Sequence, residues 1–319
     1  MSISDTAARR QHHYSIFGLE LVSDLALPEL RPVAPSGQDA DIVITIGAVA
    51  DEERAPGLHK IAGGTLLNVE KIARFAVSRG ARIFVEPHPG APLANIRLFL
   101  LGSAMGMLIH QRGLLPLHGN AIEIDGKAVA FVGPSGAGKS TLAAWFHDRG
   151  CRILSDDVCV VRFDAAGNPL LHAGIPRLRL WREAIEASGR NVATFARSYA
   201  GDETYDKYDV PIDASHTISG SLPLAAVYSL NRGSDFKVEH LGAVGGAEAI
   251  FANTYRGEYL DLVGTSLSHW EACIRLIKRV PVFALSRPWS LESMGEHVTA
   301  MIQHACAEAG RSSNLDASV

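Results

Sequence analysis

Several features are scarce or missing, and each removes a class of function. Cysteine is scarce: Cys151, Cys159, Cys273 and Cys306 are the four in 319 residues, and none makes a close pair of zinc-ligand or redox type. Reduced, buried thiols are the expectation. There is no long basic run, and the net charge is −4, so nucleic acid is not an expected partner. Residues 1–5 lack the apolar core of a signal peptide, which points to a cytoplasmic location. The one membrane-like stretch, residues 98–109, falls short of the roughly 20 apolar residues that a span needs. Its Gly102 and Gly106 are expected to let a buried helix pack closely, so no membrane partner is expected. Internal repeats and low-complexity tracts are missing as well.

What is present is a chain that is 47% apolar and 20% charged, enough for two cores or one large one. Gly133-Pro134-Ser135-Gly136-Ala137-Gly138-Lys139-Ser140, followed by Thr141, is a complete phosphate-binding loop. At average residue usage a chain this long matches the pattern by chance in roughly 1% of cases, so the segment fixes the ligand class. Backbone N–H groups over these residues can wrap a polyphosphate. Lys139 can reach the β- and γ-phosphates of a nucleotide such as ATP, and the Ser140 hydroxyl can sit on Mg²⁺.

The flanks suit that loop. Ala128-Val129-Ala130-Phe131-Val132 is an apolar run of strand length, and Leu142-Ala143-Ala144-Trp145-Phe146 continues as a helix that Gly150 stops. The helix N-terminus then points free N–H groups at the phosphates. Upstream, Ala121-Ile122-Glu123-Ile124 alternates, and Asp125-Gly126 is a hairpin signal. The loop strand is therefore expected to be the second arm of an antiparallel hairpin in a mixed sheet.

After the helix, Arg152-Ile153-Leu154 reads as a strand with Ser155-Asp156-Asp157 at its end. A right-handed crossover makes that strand parallel to the loop strand and brings its carboxyl end beside the loop. Two adjacent carboxylates there can divide the work. Asp157 is expected to share Mg²⁺ with Ser140, and Asp156 to take the proton of an attacking hydroxyl. Adjacent residues on an extended strand face opposite sides, so the division requires the strand to end at Ser155 and the chain to turn.

His118-Gly119, the hairpin, residues 133–140, the helix ending at Arg149-Gly150 and Leu154-Ser155-Asp156-Asp157 resemble the catalytic domain of HPr kinase/phosphorylase. The resemblance covers residues 118–163. The run Arg112-Gly113-Leu114-Leu115-Pro116-Leu117-His118 is more similar to HPr-kinase-related enzymes of lasso-peptide biosynthesis, which phosphorylate a serine at the end of a precursor peptide. The resemblance implies an α/β P-loop kinase domain with a mixed sheet, related to the phosphoenolpyruvate carboxykinases. It implies ATP and Mg²⁺ as cofactors and a peptide or protein serine as acceptor. It also singles out His118, which could orient Asp156. The family's Glu-Ile-Arg-Gly-Leu-Gly signature is replaced by Gly174-Ile175-Pro176-Arg177-Leu178-Arg179-Leu180-Trp181. The later Pro-Gly-Arg-Asn-type segment is not recognisable. The kinase core therefore transfers, whereas HPr as substrate and phosphorylase activity do not.

Basic residues beyond the Asp pair are candidates to neutralise the moving phosphoryl group. These are Arg177 and Arg179 (with Arg182 beside them), Lys207 in Tyr205-Asp206-Lys207-Tyr208-Asp209, and Arg256 after Asn253-Thr254-Tyr255. The chain is expected to divide near residue 92, into a small β-rich domain over 1–92 and a catalytic domain over 93–319. Asp41-Ile42-Val43-Ile44-Thr45-Ile46 and Ala73-Arg74-Phe75-Ala76-Val77 read as strands. The second meets Arg82-Ile83-Phe84-Val85 across a turn holding Gly80. This part is expected to act as scaffold and to help choose a peptide partner. Residues 312–319 read as a frayed tail. A small-molecule kinase, an HPr-type protein kinase in carbon regulation and a nucleotide-gated binding protein stay open as alternatives, as does a homo-oligomer.

Overall fold

The computed structural model describes residues 11–49, 55–202 and 204–316. The expectation for residues 1–5 and the last three residues of the expected tail lie outside them.

Eight strands between His12 and Pro87 form one sheet. Its strands run from the Arg31–Pro32 edge through His12–Ile16, Leu19–Ser23, Ile42–Ile46, Arg82–Pro87, Ala73–Ser78 and Gly64–Val69 to Gly57–Ile61. In Leu19–Ser23 buried and half-buried residues alternate strictly, as period-two side chains on a one-sided sheet must. The Ala73–Ser78 and Arg82–Pro87 hairpin turns through Arg79 and Gly80, both at positive φ (54° and 60°). Gly80 is tied across to the next helix: its N–H donates to Gln111 Oε1 (2.9 Å), and its carbonyl accepts from Arg112 Nη1 (2.8 Å).

That helix spans Leu93–Gln111, with a π-helical stretch at Leu100–Ala104 between two α-helical pieces, Leu93–Phe99 and Met105–Gln111. Its 19 residues are long and apolar enough to cross a membrane by length and composition, but 67% of its most apolar window is buried inside the protein. Ile96, Leu100, Ala104, Met105 and Leu108 share one core with Phe75, Ile83 and Val85 of the first sheet. Val158, Val160, Tyr255 and Tyr259 complete the same cluster, so apolar packing runs without a break across residue 92. Gly102 and Gly106 give the room for this. A Cβ on Gly106 would stand 3.2 Å from the Tyr255 ring, and one on Gly102 would stand 3.4 Å from the Tyr255 hydroxyl.

The second sheet is mixed. The hairpin of Leu115–Ile124 and Lys127–Val132 turns at Asp125-Gly126, both at positive φ as a two-residue hairpin requires. Lys127–Val132 pairs parallel with Ser221–Arg232, which pairs parallel with Val282–Arg287. Buried on nearly every residue, the loop strand reads as a continuous apolar run, as central parallel strands do. Ile153–Ser155 pairs antiparallel with Leu115–Ile124 and therefore runs parallel to the loop strand, with Leu115–Ile124 between them. A small third sheet joins Arg177–Trp181, Lys207–Pro211 and Ala196–Arg197.

The last helix, Met294–Asp316, lays Met294, Val298, Met301, Ala305 and Ala309 into the core. That spacing makes one apolar stripe at helical period. Residues 312–316, expected to fray, continue the helix, because adding a residue to an existing helix costs far less than nucleating one. The four cysteines are free thiols. Cys159 and Cys273 are buried as expected, whereas Cys151 and Cys306 are only half-buried.

Candidate functional site

The loop 133–138 leaves the carboxyl end of Lys127–Val132 and enters the helix Lys139–Asp148. Gly136 and Gly138 sit at φ 82° and 75°, a region that a Cβ would strain. Leu142 N–H donates to the Gly138 carbonyl (2.8 Å), which leaves the N–H groups of Lys139, Ser140 and Thr141 without intrahelical acceptors. The buried Asn120, on the hairpin's first arm, donates from Nδ2 to the Lys139 carbonyl (2.6 Å) and fixes the helix start. Lys139 is itself buried, and Nζ donates to the carbonyls of Gly133 (2.7 Å) and Pro134 (2.9 Å). Burial brings its pKa down to about 8 against the pull of Asp157 and Asp156.

The strand Ile153–Ser155 ends where the acidic pair begins, and the chain turns there. Asp157 adopts φ 75°, and a new strand starts at Val158. The two carboxylates therefore face different neighbours. Asp156 is buried, and its Oδ2 accepts the backbone N–H of Arg179 (3.0 Å). Its Oδ1 is buried without a hydrogen-bond partner, and Ser140 is near enough to act against the rise in its pKa. Burial pushes its pKa up to about 6. Burial also acts to raise the pKa of Asp157, but the charges of Arg179 and Lys207 outweigh it and hold this carboxylate below its usual range.

One expected neighbour differs. His118 Nε2 lies 3.7 Å from Asp157 Oδ1, so its carboxylate neighbour is Asp157, not Asp156. His118 is kept neutral by burial and by the nearby Lys139 charge, which together lower its pKa to about 4.

The basic candidates separate. Arg179 Nη1 donates to Asp157 Oδ2 (3.1 Å), and Nη2 to the Tyr205 hydroxyl (3.0 Å). Lys207 lies over the Trp181 ring (5.8 Å to its centroid). Its pKa is lowered by burial and by Arg179, against the pull of Asp157 and Asp156, so it belongs to the same charge cluster. Arg177 is spoken for by Asp209 (2.7 Å). Arg256, at φ 53°, lies over Tyr255 and Tyr259. Arg182 is paired with Asp206, away from the carboxylates. The sequence offered no signal for Tyr205 and Tyr255, which line the pocket beside Arg179, nor for Arg287, whose Nη2 stands against Gly138.

Three cavities meet here. A small one is lined by Asp156, Asp157, Gly102, Arg177 and Arg179. On one side it adjoins a pocket of about 340 Å³ lined by Phe99, Tyr199, Tyr205, Tyr255 and Arg256. On the other it adjoins a groove of about 490 Å³ lined by Arg97, Pro176, Phe195 and Ser198. Leu98 borders all three, so they lie side by side next to the acidic pair.

Among the described residues no cluster of three or more His, Cys, Asp or Glu side chains could hold a metal ion. Mg²⁺ does not need one: it is commonly held by one or two carboxylates, a hydroxyl, water and the phosphates of its substrate. The unpaired buried Oδ1 of Asp156 beside Ser140 suits that donor set.

No protein-family model matches the chain, and no curated protein matches it in sequence. Among solved structures, the HPr(Ser) kinase/phosphatase from Coxiella burnetii is similar to it at 11% identity with a TM-score of 0.31. That match covers 60% of this chain and 98% of the other. At that score the likeness leaves the reading of the site to its own geometry.

Proposed function

We propose that this protein is an ATP-dependent kinase that transfers the γ-phosphoryl group to a serine hydroxyl of a peptide or protein. The observation that carries the reading is the placement of the carboxylate pair at the end of Ile153–Ser155, one strand across from the loop that leaves Lys127–Val132, so that both carboxylates act on the loop's buried Lys139. Residues 133–141 bind the nucleotide through their backbone N–H groups, with Gly136 and Gly138 supplying the conformations no other residue adopts at low cost. Lys139 leaves the loop carbonyls for the β- and γ-phosphates. Ser140 and Asp156 would hold Mg²⁺, which when bound would neutralise phosphate charge. Asp157, next to His118 and on the far side of the turn, accepts the serine proton as the new O–P bond forms and the bond to the ADP oxygen breaks. Arg179 and Lys207 balance the charge of the moving group.

The groove beside the acidic pair is what favours a peptide over a small acceptor. Its 490 Å³ are lined by Arg177 and by residues of the small third sheet, which leaves room for residues flanking the serine. A precursor peptide of the lasso type is the narrower form of the proposal, and it rests on the sequence resemblance.

The test is transfer from γ-labelled ATP with Mg²⁺ to serine peptides, to the same peptides with serine replaced by alanine, and to small polyols and hydroxy acids. Label in the serine peptides alone is expected. Label in the small acceptors alone makes the protein a small-molecule kinase. ATP binding without any transfer overturns the enzymatic reading.

A further inference from the structure

Arg287 ends the strand Val282–Arg287 and is 2% exposed. Among the described residues it has no acidic partner. Its Nη1 donates to the carbonyl of the next residue, Pro288 (3.1 Å), and its Nε is buried without an acceptor. Burial lowers its pKa, and its charge helps to lower that of His297 nearby. A buried cation without a counter-charge is strongly destabilising.

The position of the guanidinium shows what would compensate it. Nη2 stands 3.2 Å from where a Cβ on Gly138 would be, against the residue that caps the loop helix. The strand order explains how it gets there. Lys127–Val132, Ser221–Arg232 and Val282–Arg287 are neighbouring parallel strands, so the last residue of the third emerges at the same edge as the loop that leaves the first. Free N–H groups at a ten-residue helix start are a common feature. A buried, unpaired guanidinium set against that start is not.

We propose that Arg287 is a second cation of the loop and binds a phosphate of the nucleotide from the side opposite the acidic pair. The proposal rests on the nucleotide reading above. It explains why position 138 is closed to a side chain on two counts: its φ of 75° and the guanidinium beside it. It also divides the cations. Lys139 is in the charge field of the carboxylates, whereas Arg287 has the phosphates as its counter-charge.

The test uses the full chain and compares Arg287→Met, Arg287→Lys and Lys139→Ala by calorimetry with Mg-ATP and with inorganic tripolyphosphate. Melting temperatures without ligand are measured in parallel. Arg287→Met should weaken both ligands by about 10–100-fold, the size of a charge-assisted hydrogen-bond pair. Its ligand-free melting temperature should hold or rise, since a buried unpaired charge is removed. A merely structural arginine would give the reverse, a lower melting temperature with wild-type affinity. Arg287→Lys should fall between the two, because an ammonium keeps the charge but not the planar fork. Wild-type affinity in Arg287→Met while Lys139→Ala binds weakly overturns the role of Arg287 alone. Wild-type protein that binds neither ligand overturns the nucleotide reading together with this one. If Arg287→Met fails to fold, wild-type affinity in Arg287→Lys overturns the proposal.

Discussion

The two large sheets treat charge differently. Up to Pro92, the described residues bury no lysine, arginine, aspartate or glutamate; beyond it Lys139, Asp156, Arg287 and Glu308 are buried. The first sheet keeps its charges in partly exposed pairs such as Arg74–Glu86 (2.9 Å). Pairs of that kind contribute at most about 1 kcal/mol. Its stability comes from Phe75, Ile83, Val85 and the helix packed on them. The second sheet holds Lys139, Asp156 and Arg287 around one loop, two of them with unpaired atoms. Burial there costs stability and makes sense where a ligand supplies the missing partners.

The sharpest way to break that contrast is at Lys139. Lys139→Ala should cut transfer by at least about 10²–10³-fold, the loss expected when one electrostatic stabiliser is removed. Its melting temperature should not fall. Unchanged turnover would remove the loop from the chemistry. The mirror experiment is Phe75→Ala in the first sheet. Deleting a fully buried ring should cost about 3–5 kcal/mol in urea unfolding, with ATP affinity of the folded fraction unchanged. A matching loss of affinity would show that the two regions are not separable.

The boundary between them can be tested at Gly106. Gly106→Val drives branched carbons into the Tyr255 ring and the Arg256 stem, so it should cost about 1–3 kcal/mol as overpacking. Turnover should fall with little change in ATP affinity, since Tyr255 and Arg256 line the pocket proposed for the acceptor and not the loop. A fall in ATP affinity instead would move the pocket's role to the nucleotide.

The smallest effect is the pH dependence. His118, His172 and His269 are all lowered to about 4, chiefly by burial. Below about pH 6.5 the unfolded chain takes up protons that the native histidines refuse until about pH 4. Their contribution is therefore complete above pH 6.5 and is lost as pH falls through that window. For the well-buried His269 the slope is about 1.4 kcal/mol per pH unit at most. Asp156, raised to about 6, works the other way between about pH 4 and 6, because the native carboxyl keeps a proton the unfolded chain has released. Urea melts at pH 7 and pH 5 should show a net loss on acidification that His269→Gln reduces. An equal loss in the variant would remove His269 from the account.

Local signals in the sequence carried well into the structure. Asp125-Gly126 makes the hairpin turn, Gly150 stops the loop helix, and the strand before the acidic pair ends at Ser155. All of these are decided within a few residues. The partners of the carboxylates were not legible, because the turn that separates Asp156 from Asp157 needs a left-handed aspartate that no short pattern announces. Nor was the pairing of Arg177–Trp181 with Lys207–Pro211, which gathers Arg179 and Lys207 from about thirty residues apart. Arg287 is the extreme case. In the sequence it is one arginine before a proline, and only the parallel strand order brings it to Gly138.

The division of labour between the two aspartates is the centre of the account, and a Mg²⁺ titration of γ-phosphoryl transfer in wild type, Asp156→Asn and Asp157→Asn tests it most directly. Asp156→Asn should need about 10–100-fold more Mg²⁺ for half-maximal turnover, the scale of a disturbed metal site. Asp157→Asn should keep the wild-type Mg²⁺ midpoint and lose about 10²–10⁴-fold in maximal turnover, the range of a general base. A shifted Mg²⁺ midpoint in Asp157→Asn, with an unshifted one in Asp156→Asn, would contradict the assignment and return the metal to Asp157.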